Sequence, residues 1–199
     1  TCSIVGNVCH SLNTTARITI SSPEPSHAGG RIFSSSAADR IGCIAIVRFG
    51  PSPSTCKGGV KREEPTMTTF TVETIEPRAA AGIRSEVPMA ELRDVFDRGF
   101  PAVAHTVEAQ GIGIVGPPFG YYPRMPAATV EVVVGFPVAG PITADGQVEP
   151  FELPGGRVVT GTHVGSYEAL EATYQQLMAW TEAEGLTLAE GMWESYLSD

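Results

Sequence analysis

The sequence predicts an α+β fold for residues 67–199, built from a duplicated β-α-β-β unit, with a helix against the sheet of each repeat and a central cleft for a ligand. Three observations predict it. Apolar and polar residues alternate along several short stretches, as half-buried strands require. Two longer stretches carry apolar residues at helical spacing. The order strand–helix–strand–strand is followed by strand–helix–strand, which reads as one unit used twice.

Residues 1–66 have a different character. Runs such as Ser21-Ser22-Pro23, Ser34-Ser35-Ser36 and Pro51-Ser52-Pro53-Ser54 make them rich in Ser, Pro, Gly and Thr, without long apolar periodicity. Such a segment cannot bury enough surface to offset chain entropy, so disorder is expected. Ile41–Phe49 is the one stretch suited to a short strand. Met67 is the expected natural start, with 1–66 a non-native or misassigned extension. No helix pair resembling a helix-turn-helix precedes it.

From Phe70 onward the elements follow in order. A strand is predicted over Ala79–Val87, and Pro88 suits the first position of a helix. Met89, Leu92, Val95, Phe96 and Val103 mark one face of that helix, while Gly99 and Pro101 should bend or interrupt it. Gly111–Val115 reads as a strand and Gly116–Gly120 as a turn, with Tyr121 and Tyr122 close to a sheet end. Ala128–Phe136 alternates as a strand. Leu153-Pro154-Gly155-Gly156 makes a turn into a strand over Arg157–Val164. Ser166 is a suitable N-cap for a helix whose stripe is Tyr167, Leu170, Tyr174, Leu177, Met178 and Thr181, with Gly185 ending it. Gly191–Leu197 reads as the last strand.

Charge narrows the partners. Residues 1–66 carry seven basic and four acidic side chains; residues 67–199 carry six arginines, no lysine and 18 acids. A field of that sign repels phosphate backbones and attracts cations, so direct nucleic-acid binding is not expected. No apolar run approaches the roughly 18 residues of a membrane span, and Thr1 opens no signal peptide, so a soluble, cytoplasmic protein is expected. Cys2, Cys9, Cys43 and Cys56 lack the paired spacing of zinc sites. No Rossmann, P-loop or nucleophile-elbow pattern occurs, and no cofactor or metal is expected.

The last strand carries the candidate chemistry. Side chains alternate along it, so Trp193, Ser195 and Leu197 share one side and Met192, Glu194 and Tyr196 the other. Trp193 and Leu197 fit a helix-covered core, which leaves Glu194 between Met192 and Tyr196 on the opposite side. A carboxylate among apolar and aromatic groups is costly unless water or a cation reaches it. Burial would push its pKa up and a bound cation would pull it back. The alternative is a solvated glutamate on an open sheet face. Tyr121 and Tyr122 are further pocket candidates, or packing at a turn. Glu131 reads as a solvated strand acid rather than a second cleft acid, and Tyr167 and Tyr174 as core. Trp180 falls off the helix stripe, where it would roof an edge of the cleft. His163, with no partner at ligand spacing, reads as a packed histidine.

Four stretches, taken together, resemble a known family. They are Gly116-Pro117-Pro118-Phe119 with Tyr122; Glu131-Val132 leading to Phe136-Pro137-Val138; Leu153-Pro154-Gly155-Gly156 through Thr162-His163-Val164-Gly165-Ser166-Tyr167; and Trp193-Glu194-Ser195-Tyr196-Leu197-Ser198-Asp199. In order and spacing they resemble the GyrI-like family, the effector-binding domain of AraC-type and multidrug-responsive activators. The resemblance implies a duplicated, SHS2-like β-α-β-β fold and binding of lipophilic, often cationic aromatic compounds, in a setting of transcription regulation. It assigns the central acid to Glu194, a pocket tyrosine to Tyr122, and flanking aromatics to Trp193 and Tyr196. It also implies a final strand after the Ser-Asp. Here Asp199 ends the sequence, so that strand is either missing, exposing a sheet edge, or replaced from 1–66.

Three functions are open at this stage. In the first, a stand-alone module binds a small hydrophobic or cationic ligand through Glu194, Tyr122, Trp193, Tyr196, Tyr121 and Met192. In the second, Glu194 is the general base of a hydrolase that opens cyclopropane-type DNA alkylators, and Tyr122 or Tyr196 donates a proton. In the third, the acidic surface engages a protein partner, a regulator or DNA gyrase.

Overall fold

The computed structural model describes residues 40–48, 69–164 and 170–197. Among these, eight strands join one sheet: β1 (Arg40–Arg48), β2 (Phe70–Ile75), β3 (Arg78–Pro88), β4 (Phe119–Tyr122), β5 (Thr129–Pro137), β6 (Glu149–Leu153), β7 (Gly156–Val164) and β8 (Thr187–Leu197). Two helices, α1 (Leu92–Ala109) and α2 (Leu170–Ala183), complete a mixed α+β fold. The strand order is β2-β7-β1-β8-β4-β5-β3-β6. Every pairing is antiparallel except those of β1, which runs parallel to both β7 and β8. Cys2, Cys9, Cys56, Met67, Ser166 and Tyr167 lie outside the described residues.

Alternation puts Val130, Val132 and Val134 of β5 on one side of the sheet. There they join Leu92, Val95, Val103 and Val107 of α1, Leu170 and Leu177 of α2, and Tyr122 and Met192 in one apolar cluster. Both helices therefore cover the same face. The other face holds a second cluster of Ala80, Phe119, Val133, Leu153 and Trp193, flanked by Tyr121, Phe151 and Ile75. Burial of both faces explains why β5 reads as a nearly continuous apolar run rather than a clean alternation.

Several local expectations are corrected. Pro88 ends β3 and precedes a short 3-10 turn over Met89–Glu91, and α1 begins at Leu92; Met89 stays 42% exposed rather than joining the stripe. Gly99 and Pro101 do not interrupt α1, which continues through both. Pro101 lies on the solvent side, where its missing N–H is tolerated. Gly99 faces the sheet, and a Cβ there would collide with Val134 Cγ2, so the glycine permits close approach of helix to strand. Gly111–Val115 does not form a strand. Gly111 adopts φ +68° after α1, and Ile114 makes an isolated bridge to Val138. The turn-rich Gly116–Gly120 ends inside β4, because Phe119 and Gly120 pair with both β5 and β8.

The edge strands β2 and β6 were not foreseen. Each is short and mostly solvent-exposed, so its alternation is weak in sequence. Within residues 1–66, β1 forms close to the stretch suited to a strand, and it occupies the place between β7 and β8. Among the described residues, no helix is long and apolar enough to cross a membrane.

Candidate functional site

β8 carries the site into the middle of the molecule. Its residues 192–195 pair with β4, setting Met192 opposite Tyr122, Trp193 opposite Tyr121, and Glu194 opposite Gly120. Met192 and Tyr122 belong to the helix-side cluster, so Glu194 and Tyr196 project to that side as well. Trp193 lies in the cluster on the other face, with its ring 6.5 Å from that of Tyr121. The expected sides are thus reversed: Glu194 is under the helices, and the Trp193 side of the strand is free of them. The physical reason is hydrogen bonding. The helix-covered space supplies phenol donors for the carboxylate, whereas the indole packs among Tyr121, Phe119 and Phe151.

Glu194 is 5% exposed. The Tyr174 hydroxyl donates to its Oε1 at 2.6 Å and the Tyr196 hydroxyl to its Oε2 at 2.6 Å. Tyr122, itself buried, adds a further hydrogen bond to the carboxyl. Three elements thus converge on one acid: β4, α2 and β8. Burial raises the Glu194 pKa, and the three phenols oppose that rise by stabilising the charged form. Among the described residues, no basic side chain contributes to this balance. Burial and the adjacent Glu194 charge hold the Tyr196 hydroxyl well above its ordinary value.

An aromatic box surrounds the tyrosine end of this cluster. Tyr196 meets Phe96 edge-on at 5.5 Å and Phe100 at 5.9 Å, and Phe100 meets Phe136 at 5.7 Å. Gly120 makes room for it, since a Cβ there would lie 3.0 Å from both the Tyr196 hydroxyl and Phe96 Cε1. Two residues before the acid, Met192 lines a cavity of about 400 Å³ with Met125, Met178, Leu188, Gly191 and the charged rim of Arg124 and Glu190. Glu194 and its three tyrosines do not line this cavity; Met192 is the residue of β8 that connects the two.

Of the residues singled out from the sequence, Glu194, Tyr122, Tyr196 and Met192 come together on the helix side. Tyr121 and Trp193 do not join them; they lie on the other face, where burial raises the Tyr121 pKa. Glu131 is outside the cleft, held between Arg84 and Arg124, which keep its carboxyl below the usual range. His163 is buried, with Nδ1 2.6 Å from Thr173 Oγ1. Trp180 packs on Phe70, ring centroids 5.8 Å apart.

Tyr174 is the residue sequence reasoning missed, because its helical spacing assigned it to the core. The usable signal was its hydroxyl: a phenol on a buried stripe needs a partner. Phe96, Phe100 and Phe136 were missed as a box because they come from separate elements. Among the described residues, no cluster of three His, Cys, Asp or Glu side chains could hold a metal.

Comparisons with known proteins bear on the family and the fold. Residues 68–199 match the family model described as GyrI-like small molecule binding domain. The solved structure titled "Crystal structure of EcmrR C-terminal domain" is 20% identical, with a TM-score of 0.54; the match covers 66% of this chain and 97% of that one. A second, "Cryo-EM structure of EcmrR-DNA complex in EcmrR-RPo", is 21% identical, with a TM-score of 0.54, covering 69% of this chain and 59% of that one. This chain therefore spans about three fifths of that longer protein. At such identity the likeness concerns the fold. No curated protein matches the chain.

Proposed function

We propose, because this chain belongs to the family of GyrI-like small-molecule-binding domains, that it binds a lipophilic, planar cation whose charge sits against Glu194. The observation that carries this reading is the composition of the acid's surroundings. A carboxylate at 5% exposure is held by phenols, with no basic group contributing among the described residues. Burying an anion without a counter-charge is unfavourable, so the missing charge is best supplied by a ligand. The rings of Phe96, Phe100 and Tyr196 offer faces and edges for a flat aromatic body, and cation–π contact adds roughly 0.5–2 kcal/mol. The mirrored strand order supports reading the halves as copies of one unit, with the site between them.

The test is calorimetric titration with a hydrophobic aromatic cation and its neutral isostere, on the protein and on Glu194→Gln. The cation is expected to bind the protein more tightly than the isostere does and to lose that advantage in the variant. Equal affinity of the two forms for the cation would refute the role of Glu194.

A second reading is favoured by one observation, the raised pKa of Glu194 beside hydrogen-bonding phenols. In it, Glu194 takes a proton from water as the water oxygen attacks a strained electrophilic ring, and Tyr122 or Tyr196 protonates the departing atom. Mass analysis for added water after incubation with a cyclopropane-bearing alkylator distinguishes turnover from binding.

A further inference from the structure

Glu194 stands in the middle of a row. On the helix side of β8 it has Tyr196 and the aromatic box on one flank and Met192 on the other. From Met192 the row runs away from the acid into the hollow of about 400 Å³. α2 follows the same division. Tyr174 bonds Glu194, whereas Met178, four residues on and so on the same helical face, lines the hollow. The two places adjoin, but their linings differ. One has an acid, three phenols and phenylalanine rings. The other has no ring among its lining residues.

The hollow suits an apolar guest. Three thioethers step from its floor to its mouth: Met192 is 5% exposed, Met178 is half-buried, and Met125 is 59% exposed. Gly191, at φ +87°, bends β8, so consecutive residues from Leu188 to Met192 all border the hollow instead of alternating around it. A volume of this size lies in the range of small-molecule sites. Methionine side chains are flexible and polarisable, and they re-form around irregular shapes. Met125 leaves most of its apolar surface in water, and a guest at the mouth would cover it.

The rim sets the chemistry of the guest's other end. Arg124 is held by Glu131 at 2.7 Å, which fixes its guanidinium at the mouth. That group has further N–H donors to offer. Glu190 is exposed on the same rim and forms no ion pair among the described residues. A donor and an acceptor of opposite charge thus border one opening. A charged guest would meet a like charge there as well as an unlike one. A hydroxyl suits both, since it accepts from the guanidinium and donates to the carboxylate.

We propose that this hollow is a second binding site, and that its ligand is an uncharged aliphatic molecule ending in a hydroxyl, of the kind of a medium-chain alcohol. The site goes beyond the Glu194 reading and does not rest on it. Its selectivity comes from buried hydrocarbon, at about fourfold in affinity per methylene.

The test is titration of the full chain with n-butanol, n-hexanol and n-octanol, followed by NMR of carbon-13-labelled methionine methyls and glutamate carboxyls. The methyl signals of Met125, Met178 and Met192 are expected to shift saturably, with affinity rising about fourfold per methylene. The Glu194 carboxyl signal is expected to stay in place. Methionine signals that do not move, or do not saturate, would overturn the proposal. A Glu194 shift exceeding the methionine shifts would put the alcohol at the acid and overturn it equally. Failure of a cation to bind at Glu194 leaves these methionine signals unaffected, so the two readings fail separately. Octanoate and octylammonium are expected to bind at least about fivefold more weakly than n-octanol, because each brings a charge to a mixed rim. A charged analogue that binds more tightly refutes the hydroxyl end. Met178→Gln, which places an amide in the half-buried wall, is expected to weaken n-octanol at least about tenfold. Unchanged affinity in that variant counts against the site, and should the variant not fold, the methyl titration of the parent chain decides.

Discussion

Gly120 stands directly across the ladder from Glu194, and its missing side chain is the space into which the Tyr196 hydroxyl reaches to bond that acid. A glycine in a strand interior weakens the strand, so its presence beside the buried charge marks a place where another group must come close. The first prediction follows. Gly120→Ala should lower stability by on the order of 1 kcal/mol, because the new methyl lies 3.0 Å from the Tyr196 hydroxyl and Phe96 Cε1. Its effect on cation affinity should exceed its effect on stability, since the hydroxyl is pushed off the carboxylate. Urea unfolding and calorimetry on the same preparation give the comparison; a loss of stability with unchanged affinity would argue against it.

Glu194→Gln should cost on the order of 2–5 kcal/mol in binding a hydrophobic cation, the range for losing one member of a desolvated charge pair. In the pH range where the Glu194 carboxyl is protonated in the free protein, cation binding should also release protons, because the ligand's charge opposes the rise that burial causes. Titrations in buffers of different ionisation enthalpy read that release directly, and the variant should show none.

The same group sets a pH dependence of stability in the absence of ligand. Burial raises the Glu194 pKa in the folded protein, so the folded state holds this proton more tightly than the unfolded chain does. Its contribution is therefore most favourable at pH below 4.5 and is lost as pH rises from there through the raised value. Other acids titrate in the same interval, and subtracting the Glu194→Gln curve isolates this one. The variant should gain relative to the parent as pH rises; urea midpoints across that interval test the sign.

Tyr174→Phe and Tyr196→Phe each remove a phenol that stabilises the charged carboxylate. Each should raise the Glu194 pKa further, and each should cost about 1.5–3 kcal/mol of stability where the acid is ionised. Carbon-13 NMR of the labelled carboxyl measures the shift. Tyr174→Phe separates the effects more cleanly, since Tyr196 also packs against Phe96 and Phe100.

Gly99→Ala should destabilise the protein by about 1–3 kcal/mol, although alanine is the better helix former, because the methyl would overlap Val134 Cγ2 beneath α1. A thermal melt settles it; a more stable variant would show that α1 can lift from β5 without penalty.

The pattern of residues carried much of this fold, and the exceptions have identifiable causes. β3, β5, β7, α1 and α2 were legible because each presents a periodic apolar face to a core, which is the signal that burial writes into sequence. β2 and β6 were not, since edge strands with solvated faces lack it. Pro101 and Gly99 were misleading for a different reason. Each has a local preference against helix, but solvent exposure at one and close sheet contact at the other outweighed it. At the site, alternation correctly grouped Met192, Glu194 and Tyr196 on one side of β8, because adjacent strand residues must point apart. Which side the helices cover depends on packing between elements distant in sequence. Tyr174 illustrates the same gap: its contact with Glu194 joins α2 to β8, and only the folded chain brings the two together.

The opposite placement of Trp193 and Glu194 has an optical consequence. Trp193 sits across the sheet from the acid, beside Tyr121, whereas Trp180 lies on α2 against Phe70. A coloured guest entering beside Glu194 would be shielded from stacking on Trp193 by the backbone itself. Emission from Trp193 would then report the integrity of the sheet, and emission from Trp180 the posture of the helix that bears Tyr174. Two single-tryptophan versions of the protein would thus let occupancy and unfolding be followed as separate signals in one cuvette.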